Sequence, residues 1–478
     1  MTTARRMRSS LPVLRPVPDP SDARAVLTEL QALGARWVID ERSKAVVGGE
    51  AASAARRTGS QVLRGNDERS EESEPIATGE AASAVRWTGS QVPRGTDQRT
   101  DQGEAMVGGL GHGAGLSRMG GAGPSDHKAI VFDGETVMVP IHTHAAERSP
   151  FVVRAGADGM AMLERDGVLL GPVRFPRPPK FYAGVTKAGV PYWKIAQLHG
   201  TDVLATTILQ SCVRYVDRER ACQFCAIGQS LEAGRTIARK TPAELAEVAE
   251  AAVALDGVTH MVMTTGTPAT PDRGARVLVE AAAAVTARVA LPIQAQCEPP
   301  DDDAWFSRLH AAGVVTLGMH LEAVGDDVRR RIMPGKAEVP MARYFDAFER
   351  AVGVFGRGQV TTYLLAGLGD SAAAIVQACR RLVALGVYPF VVPFVPIRGT
   401  PLEHHPTPPP AFMRALLAEV AAVIRDGGLS RDGVKAGCGR CGACSTLAAH
   451  ESDTGARAAE VRAAEGRAAE GCAAEGCV

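Results

Sequence analysis

The stretch "VLATTILQSCVRYVDRERACQFC", Val203–Cys225, runs from an apolar segment straight into three cysteines. Residues 203–210 read as a buried strand, and Cys212 follows directly on its end. Five further apolar runs follow: "HMVMT" (260–264), "ALPIQAQ" (290–296), "VTLGMHLE" (315–322), "QVTTYLLAG" (359–367) and "YPFVVPF" (388–394). Helical segments separate them, near 241–255, 272–288, 301–312, 341–355 and 371–385. Thr241-Pro242-Ala243-Glu244 is a capping box with proline at the first helical position. Leu245, Val248, Ala252 and Leu255 then share one face, and Phe345, Phe348, Val352 and Phe355 repeat that spacing. Strands alternating with crossover helices imply a parallel sheet. Strands apolar on both faces suit either a barrel or a doubly wound sheet. In either fold the loops after strand C-termini form the functional edge, and the three cysteines lie there.

Composition narrows the class. The chain has 478 residues, 45% of them hydrophobic, enough for a sizeable core. Its 53 basic residues balance 53 acidic ones, so no broad electrostatic footprint for nucleic acid is expected. No apolar run reaches the roughly 20 residues of a membrane helix. The N-terminus lacks the apolar core of a secretory signal, so a cytoplasmic location is expected. Thiols stay reduced there, and clustered cysteines bind metal or do chemistry more often than they pair.

The chain divides by character. Residues 1–40 hold a short amphipathic helix at 22–34, capped by Ser21 or Asp22. Residues 49–69 recur at 79–99 with 16 of 21 positions matched. Two copies without an apolar face do not stack as a solenoid. The segment 41–117 therefore reads as a duplicated, low-complexity, mostly disordered insertion. The glycine-rich stretch 108–123 lacks a phosphate-loop pattern and reads as a return to the fold. Residues 118–200 form a β-rich region with hairpin signals at Asp133-Gly134, Asp158-Gly159 and Asp166-Gly167. His142 and His144 follow the first hairpin and read as loop histidines. Residues 201–405 carry the strand–helix array. Residues 406–448 hold a helix at 411–426 and a cysteine element. Residues 449–478 repeat a pentapeptide and read as a tail, disordered or weakly helical, in which Cys472 and Cys477 are not counted as ligands.

Two cysteine triads carry the chemistry. Soft thiolates suit iron–sulfur clusters or zinc. Structural zinc takes four protein ligands, commonly as two C-x2-C pairs. Cys212, Cys222 and Cys225 supply three from one loop and leave a fourth position open. That loop, with Phe224 before its last cysteine, resembles the radical S-adenosylmethionine superfamily. There three thiolates hold a four-iron four-sulfur cluster, and the fourth iron chelates S-adenosylmethionine. The usual spacing is C-x3-C-x2-C, and this chain has C-x9-C-x2-C. Lengthening a loop from about 4 to about 10 residues costs only about 0.8 kcal/mol of closure entropy.

The resemblance extends over residues 203–403 and is to the biotin synthase-like branch. It implies a partial (β/α)6 barrel of the TIM type, with a small N-terminal β-rich region and a C-terminal cysteine-containing extension. It implies that Thr264, Thr265, Gly266 and Thr267, Glu322 in "HLE", Arg343 and Phe224 contact S-adenosylmethionine. "LLAGLGD" and "PFVPIRGTPLE" match turns of that branch. "GGAGPSD" at 120–126 and "GCGRCGACS" at 437–445 resemble bacterial radical enzymes encoded beside a nitrilase. The implied partners are a small-molecule substrate and an electron donor such as flavodoxin or ferredoxin.

Cys438, Cys441 and Cys444, at C-x2-C-x2-C, read as an auxiliary iron–sulfur cluster at the open end of the barrel, or as a structural zinc site. The fourth cysteine of a ferredoxin run is absent. Substrate, water or Cys297 remain as the fourth ligand. Cys297 itself reads as a buried packing cysteine and Cys379 as helix core. His320 is a ligand contact or a structural histidine. The run Arg329-Arg330-Arg331, with Lys336, attracts an anion or forms a solvated helix face. Asp272 and Arg273 orient ligand or cap a helix. Three functions remain open: a radical enzyme, sulfur insertion with the second cluster as donor, or a zinc-stapled protein without catalysis.

Overall fold

The computed structural model describes residues 22–39, 127–141, 143–155 and 161–452. The insertion at 41–117, the stretch 108–123, His142, the Asp158-Gly159 turn and the tail beyond 452 lie outside them.

The large sheet contains β7 (Gln197–His199), β8 (Val203–Thr207), β9 (His260–Thr264), β10 (Ile293–Gln296), β11 (Val314–Gly318), β12 (Val360–Ala366) and β13 (Val387–Pro393). Their order is β13-β12-β11-β10-β9-β8-β7. Pairs from β8 to β13 are all parallel, and β7 folds back antiparallel on β8. Each parallel strand lies beside its predecessor, so the order never reverses. A doubly wound sheet has a reversal, and a barrel does not. The sheet is therefore a curled half-barrel.

Helices Pro242–Asp256, Ala275–Thr286, Ala304–Ala311, Met341–Phe355 and Ala372–Leu385 connect the parallel strands, as the sequence spacing predicts. The capping box at Thr241 forms in both directions. Met261, Met263, Ile293, Ala295, Leu317 and Leu364 meet these helices in one core with Leu245, Val248, Phe345 and Phe348. Leu255 departs from its predicted face and is half exposed. Cys379 is fully buried in this core. Inside the curl the strands are not uniformly apolar. His260, Gln294, Gln296, Thr316 and Thr361 are all buried there and bond to one another or to the C-terminal segment.

A second core lies on the N-terminal side. Helix Ala23–Leu33 is capped by Asp22, whose carboxylate accepts from the Ala25 N–H at 3.1 Å. It packs Val26, Leu27 and Leu30 onto two small sheets. One is the hairpin of β2 (His127–Phe132) and β3 (Glu135–Pro140). The other has the order β1-β4-β5-β6, formed by Arg36–Ile39, Phe151–Ala155, Ala161–Arg165 and Val168–Val173. Asp133 and Asp166 sit at φ +49° and +47°, each followed by a positive-φ glycine. Those are the turns their Asp-Gly pairs predict. The parallel pairing of β1 with β4 was not legible, because it joins segments more than 110 residues apart.

Candidate active site

Three structural devices hold the loop after β8. The Val213 N–H donates to the Thr267 carbonyl at 2.9 Å, tying Cys212 to the turn after β9. Gly266 is packed so tightly there that an added Cβ would meet the Ser211 carbonyl oxygen at 2.0 Å and the Cys212 Cβ at 3.1 Å. On the other side, the Gln223 N–H donates to the Ile332 carbonyl and the Gly335 N–H to that of Arg220. The nine-residue gap is thus pinned at both ends.

Its arginines do the fastening. Arg214 makes a forked contact with Glu298, at 3.3 and 3.1 Å, and reaches Glu338 at 3.4 Å. Arg220 also pairs with Glu338. Thr267 donates its hydroxyl to Glu298 at 2.9 Å. Glu298 is buried, and these partners stabilise its charge. The sequence reading passed over Glu298. Its signal was its place immediately after Cys297, at the end of β10.

Cys212, Cys222 and Cys225 form no disulfide. Burial raises the Cys222 pKa above its ordinary range, Lys336 opposes this, and Cys225, Glu322 and Cys212 add to it. Cys222 and Phe224 pack against Ala323, Ile332, Met333, Leu368 and Phe394. Glu322 has left-handed φ of +65°, uncommon for a residue with a side chain. Its carboxylate pairs with Lys336 Nζ at 3.2 Å. Burial alone would disfavour the Lys336 charge, but Glu322, Tyr344, Cys222 and Glu298 together outweigh it and hold the pKa above the usual lysine value.

His320 lies two residues before Glu322. Its Nδ1 accepts from the Tyr363 N–H at 3.2 Å, which puts the neutral ring's proton on Nε2. That Nε2 is buried and has no partner among the described residues. Burial pushes the His320 pKa down to about 4.

Other predicted residues have different surroundings. Arg343 donates to Asp303 at 2.6 Å and to the Pro300 carbonyl, in the loop after β10. Thr264 bonds with Thr207 at 3.1 Å, and the Thr265 hydroxyl donates to the Gly266 carbonyl. Asp272 accepts from the N–H groups of Gly274 and Arg276, so it caps a helix. Burial, with the nearby charges of Glu298 and Asp272, raises the Cys297 pKa to about 12. The arginine run is not one solvated face. Arg329 is 2% exposed and donates to the Val339 carbonyl, Arg331 donates to that of Leu368, and Arg330 pairs outside with Asp327. All three arginines lie in the helix Asp326–Ile332, where successive side chains point in different directions around the axis.

The second triad occupies a different place from the one expected. Residues 433–447 fill the inside of the half-barrel rather than its open end. Gly437 donates to His260 Nδ1 at 3.0 Å, Cys438 N–H to Gln294 at 3.0 Å, and Thr316 to the Ala436 carbonyl at 3.1 Å. Cys438 Sγ accepts from Gln296 Nε2 at 3.2 Å. Cys444 Sγ lies 3.5 Å from His199 Nε2. Cys297 belongs to the neighbourhood of Glu298 and Asp272 instead. A cleft of about 370 Å³, lined by residues including His260, Arg431, Arg440 and Cys441, reaches this region from the side where the strands begin. Among the described residues no three His, Cys, Asp or Glu side chains form a group that would hold a single ion as they stand. Ligands of a multi-iron cluster bind separate irons and need not converge on one point.

Residues 219–382 match the model of the Radical SAM superfamily. The match starts after Cys212 and includes Cys222 and Cys225. The chain is similar to bacteriochlorophyllide c C-7(1)-hydroxylase of Chlorobaculum limnaeum, 28% identical over 208 residues, 40% of this chain. It spans about half, 52%, of that relative's length. Among solved structures it is similar to methylornithine synthase, at 18% identity and TM-score 0.37, covering 47% of this chain and 62% of that one. It is also similar to a radical SAM methyltransferase from Sphaerobacter thermophilus, at 20% identity and TM-score 0.35, covering 59% and 76%.

Proposed function

We propose that this chain, an enzyme of the radical SAM superfamily, holds a four-iron four-sulfur cluster on Cys212, Cys222 and Cys225 and cleaves S-adenosylmethionine there. The observation that carries the reading is the loop itself. Three thiols that form no disulfide follow the first parallel strand, beside a largely covered Glu322–Lys336 pair. The donor set suits iron–sulfur ligation, and three thiolates leave one iron for a ligand. When bound, the cluster supplies the electron that releases a 5′-deoxyadenosyl radical for hydrogen abstraction.

The chain's own residues do the placing. The turn Thr264–Thr267, Glu322 and Phe224 position S-adenosylmethionine. Arg343 joins them by exchanging Asp303 for the ligand's carboxylate. His320 offers its buried Nε2–H to an acceptor on S-adenosylmethionine or substrate. The apolar packing around Cys222 and Phe224 limits water at the site. The substrate is a small molecule, and the electron comes from a donor such as flavodoxin or ferredoxin. Within the superfamily, the turns at 364–370 and 393–403 support a biotin synthase-like branch. The segment 437–445 supports kinship with enzymes encoded beside a nitrilase. Cys438, Cys441 and Cys444 hold a second iron–sulfur centre.

The test is anaerobic reconstitution with iron and sulfide, reduction by dithionite and addition of S-adenosylmethionine. A cluster signal that shifts on addition, with 5′-deoxyadenosine formed, is expected in the parent chain and absent in Cys222→Ala. Stoichiometric zinc without iron overturns the proposal.

A further inference from the structure

We infer that His199 is the fourth protein ligand of the second iron–sulfur centre, making it a Cys3His site closed to substrate. This rests on the reading of Cys438, Cys441 and Cys444 as cluster ligands. The sequence left the fourth position to substrate, water or Cys297, and Cys297 lies with Glu298 and Asp272.

His199 reaches the triad from 245 residues before Cys444. It closes β7, paired with Val203 at the start of β8. Its Nε2 lies 3.5 Å from Cys444 Sγ. The turn that follows lies directly on the triad. Gly200 has φ +63°, and a Cβ there would touch Cys441 Sγ at 3.5 Å. His199 is therefore held by the sheet and not by a loop free to swing away.

The remaining surroundings suit bound sulfur. Cys438 Sγ already accepts from Gln296 Nε2 at 3.2 Å, and Gln296 is fixed in turn by donating to Gln294 at 2.7 Å. N–H groups aimed at sulfur tune a cluster's potential. Gly437 cannot carry a side chain, since a Cβ would meet Gln294 at 2.1 Å. Imidazole and thiolate together are donors that iron–sulfur centres accept, and replacing thiolate by imidazole raises the reduction potential. With four protein ligands no iron is left for substrate. The centre then serves to hold residues 433–447 in the barrel or to carry electrons.

The test uses the full chain with Cys212, Cys222 and Cys225 all changed to Ala, reconstituted anaerobically with iron and sulfide and reduced. Iron and sulfide are counted, and pulsed electron paramagnetic resonance reads nitrogen bound to the cluster. The inference expects retained iron and a strong nitrogen coupling that changes on labelling histidine with nitrogen-15. It expects that coupling to vanish in His199→Ala. It expects His199→Cys to keep the iron, lose the nitrogen signal and shift the potential downward. Should the triple variant precipitate, His199→Ala in the otherwise intact chain must lose the nitrogen-coupled part of the spectrum before any S-adenosylmethionine is added. Iron bound with no nitrogen coupling, or coupling unchanged in His199→Ala, overturns the His199 assignment and leaves the second centre standing. Absence of iron from the folded triple variant overturns the second centre and this assignment together.

Discussion

Glu322 shows how one residue can combine strain and charge. A side chain at φ +65° costs about 1 kcal/mol, and burying its carboxylate costs more unless a partner is near. Lys336 is that partner, and both side chains are largely covered. Lys336→Ala should therefore destabilise the protein by about 3 kcal/mol, because it leaves a buried charge alone. Urea unfolding of both proteins at pH 7.5 measures this, and an unchanged midpoint would refute it. Three histidines with largely covered rings set a pH limit. Burial lowers the pKa of His260, His320 and His450 to about 4 from an ordinary 6.5. Between those values the unfolded chain binds protons that the folded chain refuses. The stability from keeping them neutral is present above about pH 6.5 and lost as pH falls towards 4. Each contributes up to about 3 kcal/mol over that window, at about 1.4 kcal/mol per pKa unit. Unfolding midpoints should fall steeply between pH 7 and pH 4.5, and His450→Leu should flatten the slope. An equal slope in that variant would show that His450 does not contribute.

Elements position the cysteines through close backbone contacts, and two glycines mark where. Gly266 lies under Cys212, with 2.0 Å from its hypothetical Cβ to the Ser211 oxygen. Gly266→Ala should move the loop and reduce cluster iron at the first site, with the far-ultraviolet circular dichroism unchanged. At least a tenfold loss of 5′-deoxyadenosine formation is expected, equivalent to about 1.4 kcal/mol or more. A variant with full iron and full activity would show that the loop tolerates the shift. Gly437 has φ +87° and lies against Gln294 in the barrel. Gly437→Ala should release the C-terminal segment, costing more than about 2 kcal/mol from clash and strain together. Limited proteolysis should then cut near residues 428–437, where the parent chain resists.

At the scale of the molecule, the C-terminal segment joins the two cores. It lines the half-barrel through Gln294, Thr316 and His260 and meets the N-terminal side through Met138, whose N–H donates to the Ala443 carbonyl at 2.8 Å. Gln31 accepts from the Thr446 N–H, and Arg431 pairs with Glu135. A chain ending at Gly427 should therefore lose stability in both cores at once. Calorimetry should show a single lowered transition. An unchanged transition from the N-terminal core would show that the two are independent.

The sequence by itself determined the strands, the crossover helices, the two Asp-Gly turns and the position of Cys212 after the first parallel strand. These follow from short-range signals: apolar runs, capping residues and turn dipeptides. Only the tertiary structure decided the rest. It turned the arginines after Cys212 onto Glu298 and Glu338, buried Arg329 and sent Arg343 to Asp303. It brought His199 to Cys444 across 245 residues. It also placed the second triad inside the barrel, because the strands' inner face proved polar and the segment 433–447 satisfies it. Pairings over such distances leave no periodicity in the chain, since they depend on which surfaces meet when the sheet curls.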